Sequence, residues 1–333
     1  IRNFLIKNGY ESEIFVEKSI PQTSKTTTVY TEYKPQDDHL LIYHHSIGSS
    51  LATFMEKIKI KKIMFYHNIT PTHFFEPYDK AISSELFQGI EQTKLLAKSF
   101  KFAMASSGYN RYDLHRYGYQ HVLDAQYFID LERFDSMKLD DKIAEQYKNT
   151  TNIIFVGRRV PNKKAEDLLK IFTYYKKLNP NSKLFLLGGS WSVEKYVNKL
   201  QDLQSKLHLN KDDVIIIDTL SDDELQSYYK IADVFLCMSE HEGFCIPLVE
   251  SMYFQKPIIA YNSTAIPDTL GGSGILVNHK KYDEIAQIIN LIQTNDNLKN
   301  KIISKQNERL MFFENTRPSD ILEKNIDFVS LNS

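Results

Sequence analysis

The stretch Ser239–Glu250, SEHEGFCIPLVE, follows the apolar run Val234–Met238 and passes into Pro247, Leu248 and Val249. The apolar run predicts a buried parallel strand, and a proline followed by apolar residues suits the first turn of a helix. A strand, a tight turn and a helix therefore meet here. That arrangement aims the backbone N–H groups near Phe244, Cys245 and Ile246, with the positive end of the helix dipole, at whatever lies beyond the strand. Gly243 lets the turn approach a ligand closely. Glu242 falls in the turn and Glu250 in the helix, so two carboxylates flank an anion-friendly helix end. Backbone donors suit phosphate and carboxylates accept from hydroxyls, so a sugar nucleotide fits better than a simple anion. The competing explanation is that both glutamates merely complement the dipole.

Glu242 to Glu250 resembles the E-x7-E pattern of retaining GT-B glycosyltransferases of family 4, and PIIAYNSTAIPDTLGGSGILV resembles the strand and loop that follow it there. The resemblance runs from about Tyr43 to the C-terminus and is most specific in the second half. It implies an α/β fold of the GT-B kind, two Rossmann-like domains facing across a cleft, and transfer of a sugar from a nucleotide donor with retention and without an essential metal. It also implies roles for particular residues. Gly157–Lys164 looks like the family's G-R-x3/4-K segment, whose arginine and lysine bind the donor diphosphate; the matching residues are Arg158 and Lys163, and because Lys164 stands where many relatives have glycine, either lysine is a candidate for the phosphates. His67 matches the histidine placed after a strand of the first domain, near the transferred sugar. Leu220 lies in the loop whose backbone meets the nucleobase.

The chain has 333 residues, of which 42% are hydrophobic and 25% charged, which suits a globular protein with room for two cores. Net charge is −1, and the charges balance in both halves, so no basic half points to nucleic acid. The only cysteines, Cys237 and Cys245, sit in or beside the proposed site strand and turn. They read as small buried hydrophobes in a reducing, cytoplasmic setting. No apolar stretch is long enough to span a bilayer and no secretory signal opens the chain, so contact with the inner membrane face would be peripheral.

In chain order, Ile1, Phe4 and Leu5 before Gly9 read as a helix end, and Ser12–Glu17 as a strand. An initial strand with a glycine-rich loop, which the family pattern expects, is not found, so the N-terminal domain is expected to lack its first strand. Pro21–Asp38 reads as loop or weak edge strand. Leu40–Tyr43 and Ile63–Tyr66 read as strands, the first running into His44 and His45, the second into His67. The paired histidines lack a further ligand at metal spacing, so no zinc is expected. Loop residues His73, Phe74, Phe75 and Tyr78 suit an acceptor cleft or a core equally. Strand–helix alternation continues as in a parallel sheet. Asp130–Thr150 is polar and strandless and reads as the linker. The expected domains are 1–145 (acceptor side), 146–315 (nucleotide-sugar side) and 316–333, a helix returning to the first. Ser221 with Glu224 predicts a capping box.

The departing diphosphate gains charge as the glycosidic bond breaks, and Arg158, Lys163 and the Phe244–Ile246 amides would stabilise it in place of a metal. No Asp-x-Asp triplet occurs in the sequence. Glu242 would accept hydroxyls of the transferred sugar, Glu250 those of the ribose, and His67 would orient the sugar. The expected partners are a nucleotide-sugar donor and a saccharide or lipid-linked acceptor in surface polysaccharide or glycolipid synthesis; no cofactor is expected. The alternatives are a GT-B epimerase or phosphorylase, whose acid/base or phosphate-pocket patterns are not found, and a non-catalytic sugar-nucleotide- or partner-binding protein.

Overall fold

The structure, a computed structural model, describes residues 1–21, 24–189 and 193–332; Gln22 and Thr23, within the stretch read as loop, lie outside the described residues. In chain order its helices are α1 (Arg2–Lys7), α2 (Ser50–Lys57), α3 (Lys80–Leu96), α4 (Gly108–Arg116), α5 (Asp141–Tyr147), α6 (Ala165–Leu178), α7 (Glu194–Lys206), α8 (Asp222–Ile231), α9 (Ile246–Tyr253), α10 (Ile266–Leu270), α11 (Tyr282–Thr294), α12 (Asp296–Asn315) and α13 (Pro318–Asn332). Two units separate: Ile1–His73 with Ala81–Phe128 and Arg317–Ser333, and Phe74–Lys80 with Ile129–Thr316.

In the first unit α1 is followed by a two-residue parallel pair, β1 (Phe15–Val16) and β2 (Thr28–Val29). Only Phe15 and Val16 of the expected Ser12–Glu17 strand adopt strand geometry, and they pair outside the main sheet. That sheet is parallel, with β3 (Leu40–His45), β4 (Lys61–Tyr66), β5 (Phe102–Ala105) and β6 (His121–Asp124) side by side in chain order. Strands added in one direction by right-handed crossovers place the crossover helices on one face. Tyr66 accordingly meets Tyr117 at the end of α4. The other face is closed by the chain ends. Ile63, Phe65, Phe102 and Met104 pack with Leu5 of α1 and with Leu322, Ile326 and Val329 of α13.

The second unit holds β7 (Thr151–Val156), β8 (Ser182–Leu187), β9 (Val214–Ile217), β10 (Val234–Cys237), β11 (Ile258–Tyr261) and β12 (Ile275–Val277) in the order β12-β11-β10-β7-β8-β9, all parallel. Both faces of such a sheet are covered, which explains why Ile153–Phe155 and Val234–Cys237 are apolar without alternation and buried throughout. The first strand, β7, lies beside the fourth, β10, and the chain winds outward from this pair in both directions. That is the topological switch point of a doubly wound sheet, where loops diverge and ligands bind. The segment 130–150, read as a linker, forms a short turn at Glu132–Ser136 and α5, and both bury side chains (Phe134, Ile143, Tyr147). Its polar residues are the outer faces of these elements. β7 and β8 end close together: Gly157 donates to the Leu187 carbonyl at 2.8 Å. Gly188 has φ +116°, and a Cβ there would lie 2.8 Å from the Gly157 carbonyl oxygen, so glycine is required.

Candidate functional site

At the switch point, the loop after β7 and the loop after β10 are stitched together by one buried side chain. Asn162 donates from Nδ2 to the His241 carbonyl at 3.0 Å, and its own carbonyl accepts from the Glu240 amide at 2.8 Å. This fixes Lys163 beside Glu242, and Nζ of Lys163 lies 2.5 Å from Oε2 of Glu242. The two side chains are 20% and 7% exposed. Burial alone would lower the lysine's pKa, but the Glu242 carboxylate and neighbouring thiols outweigh it, and the net shift is upward. The lysine is a held cation. The Glu242 amide donates to Thr264 Oγ1 at 2.8 Å, and the Phe244 carbonyl accepts from Thr269, so the turn is braced from the loop after β11 and from α10.

The turn enters α9 through Cys245, whose φ of +74° is left-handed. The conformational demand in this turn therefore falls on Cys245. The amides of Cys245 and Ile246 precede the first intrahelical acceptor of α9, and Pro247 lacks an N–H, so the helix end presents donors and positive potential toward the switch point. One turn on, Glu250 is buried and engaged through both oxygens, each with a lone pair to spare: Oε1 accepts from Nη2 of Arg133 at 2.9 Å and Oε2 from the Tyr229 hydroxyl at 2.8 Å. Burial raises its pKa against the opposing pull of Tyr229 and Arg133.

The basic loop after β7 divides its tasks in a way the sequence does not mark. Arg158 is exposed. Arg159 is buried, with Nη1 donating to the Gly188 carbonyl at 2.6 Å and Nη2 paired to Asp218. Lys164, at φ +54°, pairs with Glu240 at 3.0 Å. Its left-handed backbone accounts for a glycine being acceptable there. Gly157 and Gly243 are half-buried in the two loops. Leu220 is half-buried just before Ser221, whose capping box with Glu224 is formed.

In the first unit His67 follows β4. Its Nε2 lies 2.8 Å from Nδ1 of His44 and its Nδ1 2.9 Å from the Tyr127 hydroxyl, and it stacks on His44 and Phe65. Burial, with smaller contributions from His44 and His45, lowers its pKa to about 4, so the ring is neutral near pH 7.

The structure thus brings Lys163, Glu242, Gly243, Phe244, Cys245, Ile246 and Glu250 into one locality of the second unit, while Arg158 lies exposed in the loop after β7. Sequence reading missed Asn162, Arg133 and Tyr229. Arg133 and Glu250 are far apart in sequence, and no local pattern links them; a tyrosine in a buried helix face needing a hydroxyl partner was the one available hint for Tyr229. Among the described residues no helix is long and apolar enough to cross a membrane.

Comparison with known proteins follows the same division. The glycosyl transferases group 1 profile matches residues 136–309. The chain is 26% identical over 203 residues to the capsular polysaccharide biosynthesis glycosyltransferase CapM of Staphylococcus aureus, covering 60% of this chain and 51% of CapM. It is 28% identical over 140 residues to the lipopolysaccharide 1,2-N-acetylglucosaminetransferase of Salmonella typhimurium, covering 40% of this chain and 35% of that enzyme. The chain therefore spans about half or less of these relatives' length. Among solved structures, sucrose-phosphate synthase from Thermosynechococcus elongatus superposes with TM-score 0.74 at 14% identity, covering 99% of this chain and 92% of that one. Anabaena HepE in complex with UDP-glucose gives 0.65 at 18% identity, covering 81% and 72%. Those likenesses show the GT-B type of α/β fold. With the profile covering more than half of its length, the chain belongs to the glycosyl transferases group 1 family.

Proposed function

We propose that this chain transfers a sugar, with retention and without an essential metal, from a nucleoside diphosphate donor bound at the β7–β10 switch point to a saccharide or lipid-linked acceptor in surface polysaccharide or glycolipid synthesis. The observation that carries the donor site is the convergence of Lys163 on Glu242 at the amino end of α9, the place where a doubly wound sheet binds nucleotides. In this reading the donor diphosphate displaces Glu242 as the partner of Lys163 and takes the Cys245 and Ile246 amides, with Arg158 reaching in from its exposed position. Each charge-assisted contact contributes about 1.5–3 kcal/mol, and those on the leaving phosphate strengthen as the glycosidic bond breaks. Glu242, released from the lysine, accepts hydroxyls of the sugar. Glu250 accepts from the ribose with the geometry that Arg133 and Tyr229 impose. His67, neutral and fixed by His44 and Tyr127, is assigned to the transferred sugar. The acceptor class follows the names of the CapM and lipopolysaccharide relatives. A cytoplasmic enzyme working at the inner membrane face suits such an acceptor.

The test is thermal stabilisation of the chain by UDP, GDP, ADP and dTDP, with and without a chelator. Saturation to 100 times Kd raises stability by about 2.7 kcal/mol. A base-selective shift that survives chelation and is lost in Glu250→Ala and Arg158→Ala is expected. No shift from any nucleotide would sink the donor site, and inversion of the anomeric configuration in the product would sink the retaining mechanism.

A further inference from the structure

The turn that holds Glu242 also gathers the chain's only two thiols. Cys237 ends β10 and is fully buried; Cys245 opens α9 and is half-buried. The Sγ atoms of both and a Glu242 carboxylate oxygen lie within 4.8 Å of one another. A tetrahedral Zn2+ with Zn–S near 2.3 Å spaces its ligand atoms about 3.8 Å apart, so the trio needs a contraction of about 1 Å at most. The surroundings are polar on one side: Cys237 Sγ donates to Ser239 Oγ at 3.3 Å, and Lys163 Nζ rests on Glu242. A cation already occupies the carboxylate, and it is the end of a flexible stem with partial access to solvent.

We propose that Cys237, Glu242 and Cys245 form a binding site for a thiophilic divalent cation, Zn2+ or its analogue Cd2+, which replaces the Lys163 ammonium as the partner of Glu242. Two sulfurs and one oxygen select soft or borderline ions over Mg2+ and Ca2+, which prefer all-oxygen cages. Three protein ligands leave a fourth position for water. As the two metal–sulfur bonds form, both thiol protons leave to solvent. The ion withdraws Glu242 from the sugar, so it inhibits transfer. The binding claim stands apart from the proposed function, and only the inhibition rests on it.

The experiment is a titration of the chain with Cd2+ alone, under a non-thiol reductant, read by the ultraviolet thiolate-to-cadmium charge-transfer band and by equilibrium dialysis. One Cd2+ per chain with the band is expected, competed by Zn2+ and unaffected by Mg2+. Cys237→Ser, Cys245→Ser and Glu242→Gln should each weaken binding, whereas Lys163→Met, which removes the resident cation, should tighten it about tenfold, or about 1.4 kcal/mol. Circular dichroism confirms that each variant is folded, and Lys163→Met keeps the test decisive if a serine variant is not. Absence of the band in the folded wild-type chain, dialysis stoichiometry unchanged in the double serine variant, or unchanged or weaker binding in Lys163→Met would overturn the proposal. A UDP-induced thermal shift, measured separately without metal, tells a failed donor site from a failed metal site.

Discussion

Replacing Lys163 with methionine keeps most of the stem and removes the ammonium that lies 2.5 Å from Glu242. Breaking a buried ion pair from one side costs about 3–5 kcal/mol, because the remaining charge is stranded. Glu242 is 7% exposed and cannot recover water readily, but the 20% exposure of the Lys163 side chain shows that solvent reaches part of the pair. The lower end of the range, about 3 kcal/mol, is therefore the expected loss. In a unit of about 200 residues each kcal/mol moves the unfolding midpoint by roughly 2–4 °C, which gives a fall of about 6–12 °C. Glu242→Gln keeps the shape and leaves the lysine free to reach solvent, so its cost should be smaller, about 1–2 kcal/mol. The double variant should then be more stable than Lys163→Met alone, with a coupling of about 2 kcal/mol. Thermal and denaturant unfolding followed by circular dichroism measures all four corners of this cycle. A Lys163→Met midpoint within about 2 °C of wild type, or two single losses that simply add, would refute the claim that these groups are a desolvated pair.

His45 and His67 are both held near pKa 4 by burial, below the ordinary 6.5. The unfolded chain therefore binds more protons between these values, and the contribution of these two histidines to the stability of the first unit, fully present above about pH 6.5, should be lost as pH falls toward 4; for His45 the span corresponds to about 3 kcal/mol. Unfolding midpoints across that window should flatten in His45→Gln, and an unchanged slope would contradict the burial argument. Gly188→Ala forces a Cβ to 2.8 Å from the Gly157 carbonyl at a left-handed φ, so a loss of about 1–3 kcal/mol with weakened UDP stabilisation is expected, and a wild-type midpoint would show that the loop yields freely. Leu322→Ala, on the buried face of α13, should cost about 2–5 kcal/mol in chemical denaturation; a loss under about 1 kcal/mol would mean that α13 adds little to that core.

Much of the second unit was legible because its signals are local. A strand, turn and helix fit within Val234–Tyr253, and the capping box at Ser221 and Glu224 spans four residues. That Lys163 and Glu242 serve one donor site came from family resemblance, but their ion pair was not expected, since no periodicity joins segments this far apart. Arg158 and Arg159 are neighbours in a loop that turns tightly at Arg159, the Val160 amide donating to the Arg158 carbonyl at 3.0 Å, and composition cannot say which of the two arginines turns inward. Arg159 did. Left-handed backbone at Lys164 and Cys245 carries no mark in the sequence, because the residue that would announce it, glycine, is missing from both positions. The opening strand was overestimated for a different reason: the apolar run Ile14–Val16 within Ser12–Glu17 suits a strand, but only Phe15 and Val16 found a strand neighbour, β2.

The two glutamates of the E-x7-E stretch are held in opposite ways, and that contrast assigns their proposed roles better than their spacing does. Glu250 has both oxygens committed, one to Arg133 and one to Tyr229, with a fully buried aromatic ring carrying the second donor. Tyr229 is fully buried and cannot leave without stranding its hydroxyl, and it fixes the carboxylate even though Arg133 is 37% exposed, so Glu250 offers a ligand a fixed direction. Glu242 has one oxygen on a lysine whose stem is flexible and whose end is partly solvated. That partner can be exchanged. A diphosphate carries more charge than a carboxylate and would draw the ammonium away, leaving Glu242 to accept from a sugar hydroxyl in the proposed site. Without ligand, the same lysine keeps the carboxylate from standing alone in a dry pocket. Under the proposed function the ion pair is the resting form of the donor site, and the cost of breaking it would be subtracted from donor affinity in every binding event. Variants at Glu242 should therefore change donor affinity in two opposing directions, through lost sugar contacts and through a freed lysine, whereas those at Glu250 act in one.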